Sequence, residues 1–158
     1  RETTPSSVLT AADRCVIRVV DEVFDHVVVS PSTLHEARTH VGDDRALMEL
    51  FRVMAPRGRL FILINLYKDN LYSLQWVDKL KVPVRVHSQA EYVELLKKHA
   101  FEDVEACRIP DDTPTPDDYQ TKSFHSLDDL RAFKREGALL LMASKPDLRT
   151  PAPGYAIY

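Results

Sequence analysis

The sequence predicts an α/β domain built on a parallel sheet. Two apolar runs, FDHVVVS and RGRLFILIN, flank a segment whose apolar residues recur at helical spacing. This order of strand, helix, turn and strand is typical of a βαβ unit. Helix-like and strand-like segments continue to alternate downstream, which favours an α/β layered architecture. In such sheets, ligands bind beyond the carboxyl ends of the strands.

The central segment predicts two strands and the helix between them. Residues 24–30 contain three consecutive valines without polar alternation, so we expect a strand covered on both faces. Asp43 precedes the helical segment and can cap its first turn. Pro56 is expected to end the helix, Gly58 to supply the turn, and residues 60–64 to form a second buried strand. The predicted helical face consists of Ala46, Leu47, Leu50, Phe51 and Met54.

The remaining elements are bounded by recognisable caps. Ser88 and Glu91 have the spacing of a capping box, and Ser126 and Asp129 repeat it. Gly137 is expected to end the second of these helices. The predicted elements are a weak strand at 7–12, helices at 89–99 and 127–135, strands at 103–109 and 138–144, a partly helical cover at 65–85, and a surface loop at 110–119.

Size and composition fit a single soluble domain with a small-molecule ligand. The chain has 158 residues, 44% hydrophobic and 28% charged. A net charge of -3 gives no reason to expect nucleic acid or an anionic membrane as a partner. No apolar run reaches the ~18 residues of a membrane span. Cys15 and Cys107 lack zinc-site spacing, so we expect reduced thiols, no metal and a cytoplasmic location.

Four stretches of the sequence resemble class I S-adenosylmethionine (SAM) dependent methyltransferases, in particular the type 11-like group. FDHVVV matches the opening of that family's fourth strand, and RVMAPRGR matches a turn that commonly reads RVLKPGGR. HAF at 99–101 stands where many members have AGF, and GALLLMASKP at 137–146 resembles their final strand. The resemblance implies a Rossmann-like sheet of order 3-2-1-4-5-7-6. Its last strand is antiparallel and lies between the fifth and sixth.

The resemblance covers only the second part of that fold. No G-x-G-x-G motif occurs among the four glycines, so the first two strands and the Gly-rich turn are expected to be absent. Residues 1–146 would form a partial domain with strands 3 to 7, with inserts at 65–86 and 110–126 and a tail at 147–158. We favour a fragment of a full methyltransferase. The alternative is a degenerate, non-catalytic scaffold protein.

A missing first strand has a consequence for partners. In the family, strand four pairs with strand one, so the edge of residues 24–30 would be free to pair with another chain. The expected partner is the missing N-terminal half or a second copy in a homodimer. Because most of the cofactor site would lie elsewhere, we expect the isolated chain to bind SAM weakly or not at all.

The resemblance assigns adenine contacts to Asp13 and Arg14. Ala12-Asp13-Arg14 stands where many members read G-D-A, and Asp13 lies twelve residues before Asp25, a common family spacing. The acid at this position typically accepts from the adenine amino group, and the next residue adds a backbone contact. The alternative is that Asp13 is an ordinary loop or capping acid.

A second cofactor segment follows the strand at 24–30. Residues 30–36, SPSTLHE, resemble the family pattern S-x-x-x-L-H-H, with Glu36 replacing the second histidine. The resemblance implies that Ser30 and Leu34 contact the methionine end of SAM and face the substrate. His35 is the candidate general base. A structural histidine in a helical turn is the favoured alternative, because transfer from a sulfonium often needs only alignment and desolvation.

The segment after the second strand is the candidate substrate cover. It carries Asn65, Tyr67, Tyr72 and Trp76, and aromatic side chains at this edge can clamp a flat or apolar substrate. The alternative is that the aromatics form a small satellite core and that Asn65 and Asn70 are solvated. The expected function is therefore SAM-dependent methyl transfer to a small molecule, with this chain as the substrate-side half.

Overall fold

The computed structural model describes residues 22–29, 43–81 and 84–147. These residues form four strands and four helices, which alternate along most of the chain. None of the helices described is both long and apolar enough to cross a membrane. The strands are β1 (Phe24–Val29), β2 (Met54–Ile64), β3 (Glu102–Ile109) and β4 (Ala138–Ser144). The helices are α1 (Asp43–Val53), α2 (Ser73–Lys79), α3 (Gln89–Lys98) and α4 (Leu127–Glu136).

The four strands form one mixed sheet in the order β1-β2-β4-β3. β1 is parallel to β2, whereas β4 is antiparallel to both of its neighbours, so β3 runs in the same direction as β1 and β2. Leu60 pairs with Ala143 and Ile64 with Leu139 across the antiparallel β2–β4 ladder. This is the 4-5-7-6 part of the expected sheet. The prediction that the last strand is antiparallel and inserted between its neighbours is confirmed.

The core lies on one face of this sheet, against α1 and α3. Burial alternates along β2: Leu60, Ile62 and Ile64 are each 1% exposed, while the residues between them are only half-buried. On β1, Val29 joins the core but Val28 is 77% exposed. The prediction that the strand at 24–30 is covered on both faces is therefore wrong. The helices that contribute to the core pack on one side only, and an apolar run in sequence does not reveal this.

Near the start of β2, where its pairing with β1 shifts register, two neighbouring residues have separate roles. Arg57 has the left-handed φ of 65°. A Cβ on Gly58 would lie 2.7 Å from the Ala55 carbonyl oxygen and 3.1 Å from that of Phe24. The expectation that Gly58 supplies the special turn conformation is wrong, because Arg57 adopts it and Gly58 lets β1 approach closely. The helix also ends at Val53, earlier than the Pro56 boundary predicts.

The predicted helices at 89–99 and 127–135 and the predicted strands at 103–109 and 138–144 agree with the structure to within a residue at each end. The strand predicted at 7–12 lies outside the described residues. The capping box is complete, because Ser88 accepts from the Glu91 N–H and the Glu91 carboxylate accepts from the Ser88 N–H. Ser126 accepts from the Asp129 N–H at 3.1 Å. Gly137 ends α4 with a φ of 82°, and a Cβ there would lie 2.5 Å from the Ile109 carbonyl oxygen. The partly helical cover predicted at 65–85 contains α2.

One buried cation joins the end of β4 to the end of α1. Lys145 is only 4% exposed, and its Nζ donates to the carbonyl oxygens of Phe51 and Met54, each at 2.9 Å. The same ammonium lies 4.6 Å from the centre of the Phe51 ring. These carbonyls belong to the end of a helix, where a positive charge is stabilising. Lys145 therefore has a structural role that its sequence context did not indicate.

Candidate functional site

The candidate site lies at the edge of the sheet where three strands end. The carboxyl ends of β2 and β3 meet the amino end of β4 there, because β4 runs in the opposite direction. Asn65 directly follows β2, Ile109 ends β3 and Ala138 begins β4, and all three line a cavity of about 650 Å³. Such a volume is in the range of small-molecule sites, about 300–1,000 Å³. The position agrees with the general rule for ligand sites in α/β sheets.

One wall of the cavity is aromatic. It is formed by Trp76 of α2, Phe124 of the loop before α4, and Phe133 of α4. The ring centre of Trp76 lies 6.1 Å from that of Phe124 and 5.6 Å from that of Phe133, and the two phenylalanine rings are 4.9 Å apart. Centroid distances of about 4.5–7 Å with edge-to-face geometry are favourable for aromatic pairs. The cluster therefore joins the cover, the loop before α4 and α4 itself into one surface.

The loop between β3 and α4 forms the opposite wall. Lys134 of α4 donates to the Thr113 carbonyl oxygen and, at 3.0 Å, to Thr115 Oγ1. Arg131 donates to the Thr115 carbonyl oxygen at 3.1 Å and to an Asp117 oxygen at 2.6 Å. The predicted surface loop is thus exposed on one side but fastened to α4 and facing the cavity on the other. The residues of this loop that line the cavity are Asp111, Pro114, Thr115, Pro116, Tyr119, Gln120, Thr121, Lys122, Ser123 and Phe124.

The cover segment is held by buried polar contacts. Tyr67 is fully buried, and its hydroxyl donates to the Gly137 carbonyl oxygen at 2.9 Å. Asn70, also fully buried, donates to the Phe133 carbonyl oxygen at 3.3 Å. Ser73 Oγ donates to the Asn65 carbonyl oxygen at 3.4 Å. The suggestion that Asn70 is solvated is wrong, because its amide fixes the cover to the end of α4.

Two carboxylates near these walls are held ionised. The Thr113 hydroxyl and backbone N–H hydrogen-bond to Asp111 and lower its pKa below the usual value, with a smaller contribution from Lys134. The Ser88 backbone N–H, and then Lys68, lower the pKa of Glu91 to about 2. Lys68 Nζ lies 3.0 Å from both Glu91 oxygens, so this pair fastens the chain after β2 to the start of α3. Burial raises the pKa of Tyr67, which keeps its hydroxyl a donor at neutral pH.

The structure brings together two of the four predicted substrate residues. Asn65 and Trp76 both line the cavity. Tyr67 is buried beneath it, and the half-buried Tyr72 is outside its lining. The predicted cofactor and catalytic residues lie outside the described residues. These are Asp13, Arg14, Ser30, Leu34 and His35.

Sequence reasoning missed much of the cavity wall. Phe124, Phe133 and Lys134 were not singled out, although an aromatic residue after a proline-rich stretch is a signal of packing rather than solvation. In the parts of the chain that are described, no group of three or more His, Cys, Asp or Glu side chains is arranged to hold a metal ion. The polar groups that line this cavity are hydroxyls, amides and the charges of Asp111, Lys122 and Lys134.

Comparison with known proteins decides the fold. A scan against models of protein families and a search of curated proteins found no match. Solved structures do match. A chain of the complex between the Haloferax volcanii Trm112 methyltransferase activator and a candidate methyltransferase is 22% identical, with a TM-score of 0.70 over 85% of this chain. This chain has the class I SAM-dependent methyltransferase fold.

Two further methyltransferases support this assignment. A SAM-dependent methyltransferase of Thermotoga maritima is 18% identical, with a TM-score of 0.58 over 84% of this chain. Phosphoethanolamine N-methyltransferase 2 of Haemonchus contortus, solved with phosphomonomethylethanolamine and S-adenosylhomocysteine, is 16% identical, with a TM-score of 0.52 over 85%. This chain spans 59%, 61% and 36% of the lengths of these three structures, respectively.

Proposed function

We propose that this chain forms the substrate-side part of a SAM-dependent methyltransferase that acts on a small molecule. The observation that carries the proposal is the cavity of about 650 Å³ at the carboxyl edge of β2 and β3. It lies where α/β sheets bind ligands, and its lining combines aromatic rings with a few polar groups, as small-molecule sites do. The shared fold supplies the reaction class.

The cofactor would sit beside this cavity, at the end of β1. β1 and β2 are adjacent and parallel, with Val29 opposite Ile62, so their carboxyl ends lie at the same edge. Ser30 follows Val29 in the chain, and neighbouring strands are about 4.8 Å apart. From the family resemblance, we propose that Ser30 and Leu34 hold the cofactor there, with Asp13 and Arg14 at its adenine. When bound, SAM supplies an electrophilic methyl group.

The chain's own residues would position and desolvate the acceptor. Trp76 and Asn65 face the cavity, where an aromatic surface excludes water and an amide can orient a polar group. Tyr67 supports the cover from below rather than contacting the substrate, and Tyr72 would act at its margin. His35 would remove a proton from those acceptors that must lose one, which many methyl transfers do not require.

Trp76 provides a direct test, because it is the single tryptophan of the chain and lines the cavity. We expect small phenols, carboxylates or amines to change its fluorescence saturably at about millimolar concentration, the range of a weak fragment. Free N-acetyltryptophanamide with the same ligands is the control for inner-filter effects. If no member of such a panel binds, the small-molecule proposal fails.

SAM itself gives a second test. We expect calorimetry to show no micromolar binding to the 158-residue chain, because the Gly-rich turn expected to hold the methionine part is not in the sequence. Micromolar binding would contradict that expectation. A Gly-rich turn in the upstream coding sequence would favour an enzyme, and its absence in the natural protein would favour the non-catalytic scaffold.

The outer position of β1 among the described strands belongs to the same proposal. Within the described residues β1 is an outer strand of the sheet, and its Val28 side chain is 77% exposed. An exposed strand edge can pair with another chain, either a further segment of the protein or a second copy. Sedimentation velocity of the wild type and Val28→Lys tests the second case. A concentration-dependent dimer that the substitution weakens supports it, and a monomer at all concentrations excludes it.

A further inference from the structure

The charged side chains that line the cavity differ in how many hydrogen-bond and ion-pair partners they have. Lys134 and Asp111 form a pair at 3.7 Å, and Lys134 also donates to Thr113 and Thr115. Asp111 additionally accepts from the Thr113 N–H at 2.9 Å. Both charges are therefore compensated within the wall. An entering ligand gains little from either of them.

Lys122 is different. It lines the cavity and is exposed, and no hydrogen bond or ion pair of its ammonium occurs among the residues that the structure describes. Counting only partners in the described ranges, Lys122 is thus the lining cation whose charge nothing compensates. Of the four aspartates in the loop, only Asp111 reaches the lining, whereas Asp117 is paired with Arg131 at 2.6 Å. An exposed cation of this kind favours an anionic group nearby and disfavours a cationic one.

The aromatic wall adds a second requirement. Trp76, Phe124 and Phe133 all line the cavity, and their three rings pack against one another. A flat aromatic ligand gains both buried area and ring–ring interaction against such a surface. A saturated ring of similar size gains only the area.

We propose that the acceptor is an aromatic ring that carries an anionic group, with the ring against Trp76 and the anion at Lys122. This inference rests on the proposed function, since it names the substrate class of the same cavity. The two anchoring points belong to different segments, α2 and the loop before α4. Trp76 would select for an aromatic ring, and Lys122 would select for a negative charge.

The test compares four matched probes by Trp76 fluorescence and by amide shifts of Thr121 and Ser123 in NMR spectra. Benzoate, benzyl alcohol and benzylamine differ in charge, and cyclohexanecarboxylate differs from benzoate in its ring. We expect benzoate to bind about tenfold more tightly than benzylamine, because the exposed Lys122 ammonium attracts the first and repels the second. Cyclohexanecarboxylate should bind several-fold more weakly than benzoate.

Lys122→Gln isolates the charge. It should remove the preference for benzoate and leave benzyl alcohol unchanged, whereas Lys97→Gln, at an exposed position of α3 outside the lining, should change neither. Salt at 0.5 M should reduce the wild-type preference by screening.

Equal binding of benzoate and benzylamine, or a preference for benzylamine, overturns this inference while leaving the small-molecule cavity in place. Equal binding of cyclohexanecarboxylate and benzoate overturns the aromatic requirement. Failure of all four probes and of the wider panel overturns the proposed function as well.

Discussion

Tyr67→Phe tests how the cover over the cavity is held. The substitution removes one hydroxyl and keeps the ring, so the packing of the ring against the surrounding core is retained. That hydroxyl donates to the Gly137 carbonyl oxygen at 2.9 Å, and Tyr67 is 0% exposed. The hydrogen bond joins the segment after β2 to the residue that ends α4. Its loss therefore weakens the connection between two walls of the site.

The expected cost follows from burial. A buried polar group that loses its partner costs about 1–3 kcal/mol, and a neutral pair lies in the lower half of this range. We expect about 1.5 kcal/mol in the free energy of unfolding. For a chain of this size, each kcal/mol corresponds to about 2–4 °C, so the Tm should fall by roughly 3–6 °C.

Urea unfolding followed by Trp76 fluorescence measures this change, because the indole belongs to the same cover. Tyr119→Phe is the matched control, since Tyr119 is 54% exposed, and its loss of a hydroxyl should stay within about 0.5 kcal/mol. A Tyr67→Phe protein as stable as Tyr119→Phe would refute the reasoning. It would mean that the hydroxyl does not hold the cover to Gly137.

Three further changes test other contacts. Gly58→Ala should cost about 2 kcal/mol in urea unfolding, since the new Cβ would lie 2.7 Å from a backbone oxygen. Lys145→Met should lower the free energy of unfolding by about 3 kcal/mol, because two charge-assisted bonds to carbonyls are lost. Glu91 has its pKa lowered to about 2 from 4.5, so its contribution is complete above pH 4.5 and is lost as the pH falls towards 2. Glu91→Gln should therefore destabilise the protein at pH 6 and have little effect near pH 2.

Each of these has a result that counts against it. If Gly58→Ala had wild-type stability, β1 would be able to move away from Gly58 without a cost in the free energy of unfolding. A stable Lys145→Met protein would show that burying the ammonium costs as much as its bonds return. If Glu91→Gln changed the free energy of unfolding equally at both pH values, the negative charge of Glu91 would not be the source of its stabilising effect.

The helix boundaries and the strand order could be predicted from the sequence, but which strand residues are buried could not. Caps at Ser88, Ser126 and Gly137 fix helix boundaries, because they depend on a few adjacent residues and on local hydrogen bonds. The strand order followed from the family resemblance, and the structure confirms it for the four described strands. One-sided burial could not be predicted. The exposure of Val28 depends on which elements cover the sheet, and three valines in a row carry no information about that.

The candidate site shows the same division. Asn65 and Trp76 were expected at the strand ends, and the structure places both in the cavity wall. Tyr67 was expected with them, but its hydroxyl pairs with Gly137, seventy residues away. Residue type alone does not distinguish an aromatic that faces a ligand from one that supports the wall. That distinction depends on tertiary contacts, which leave no local pattern.

The loop before α4 shows why the cavity is preformed. Its prolines and aspartates suggested a solvated segment, yet Lys134 and Arg131 bind its backbone and α4 also holds the cover through the Phe133 carbonyl. Both walls are thus fastened to one helix. Binding to a cavity whose walls are already fixed costs less conformational entropy than binding that must also order a flexible loop. Substitutions on the side of α4 that faces the cavity should therefore affect both walls at once and change the affinity for the whole ligand. A substitution in one wall alone should affect only the part of the ligand that contacts that wall.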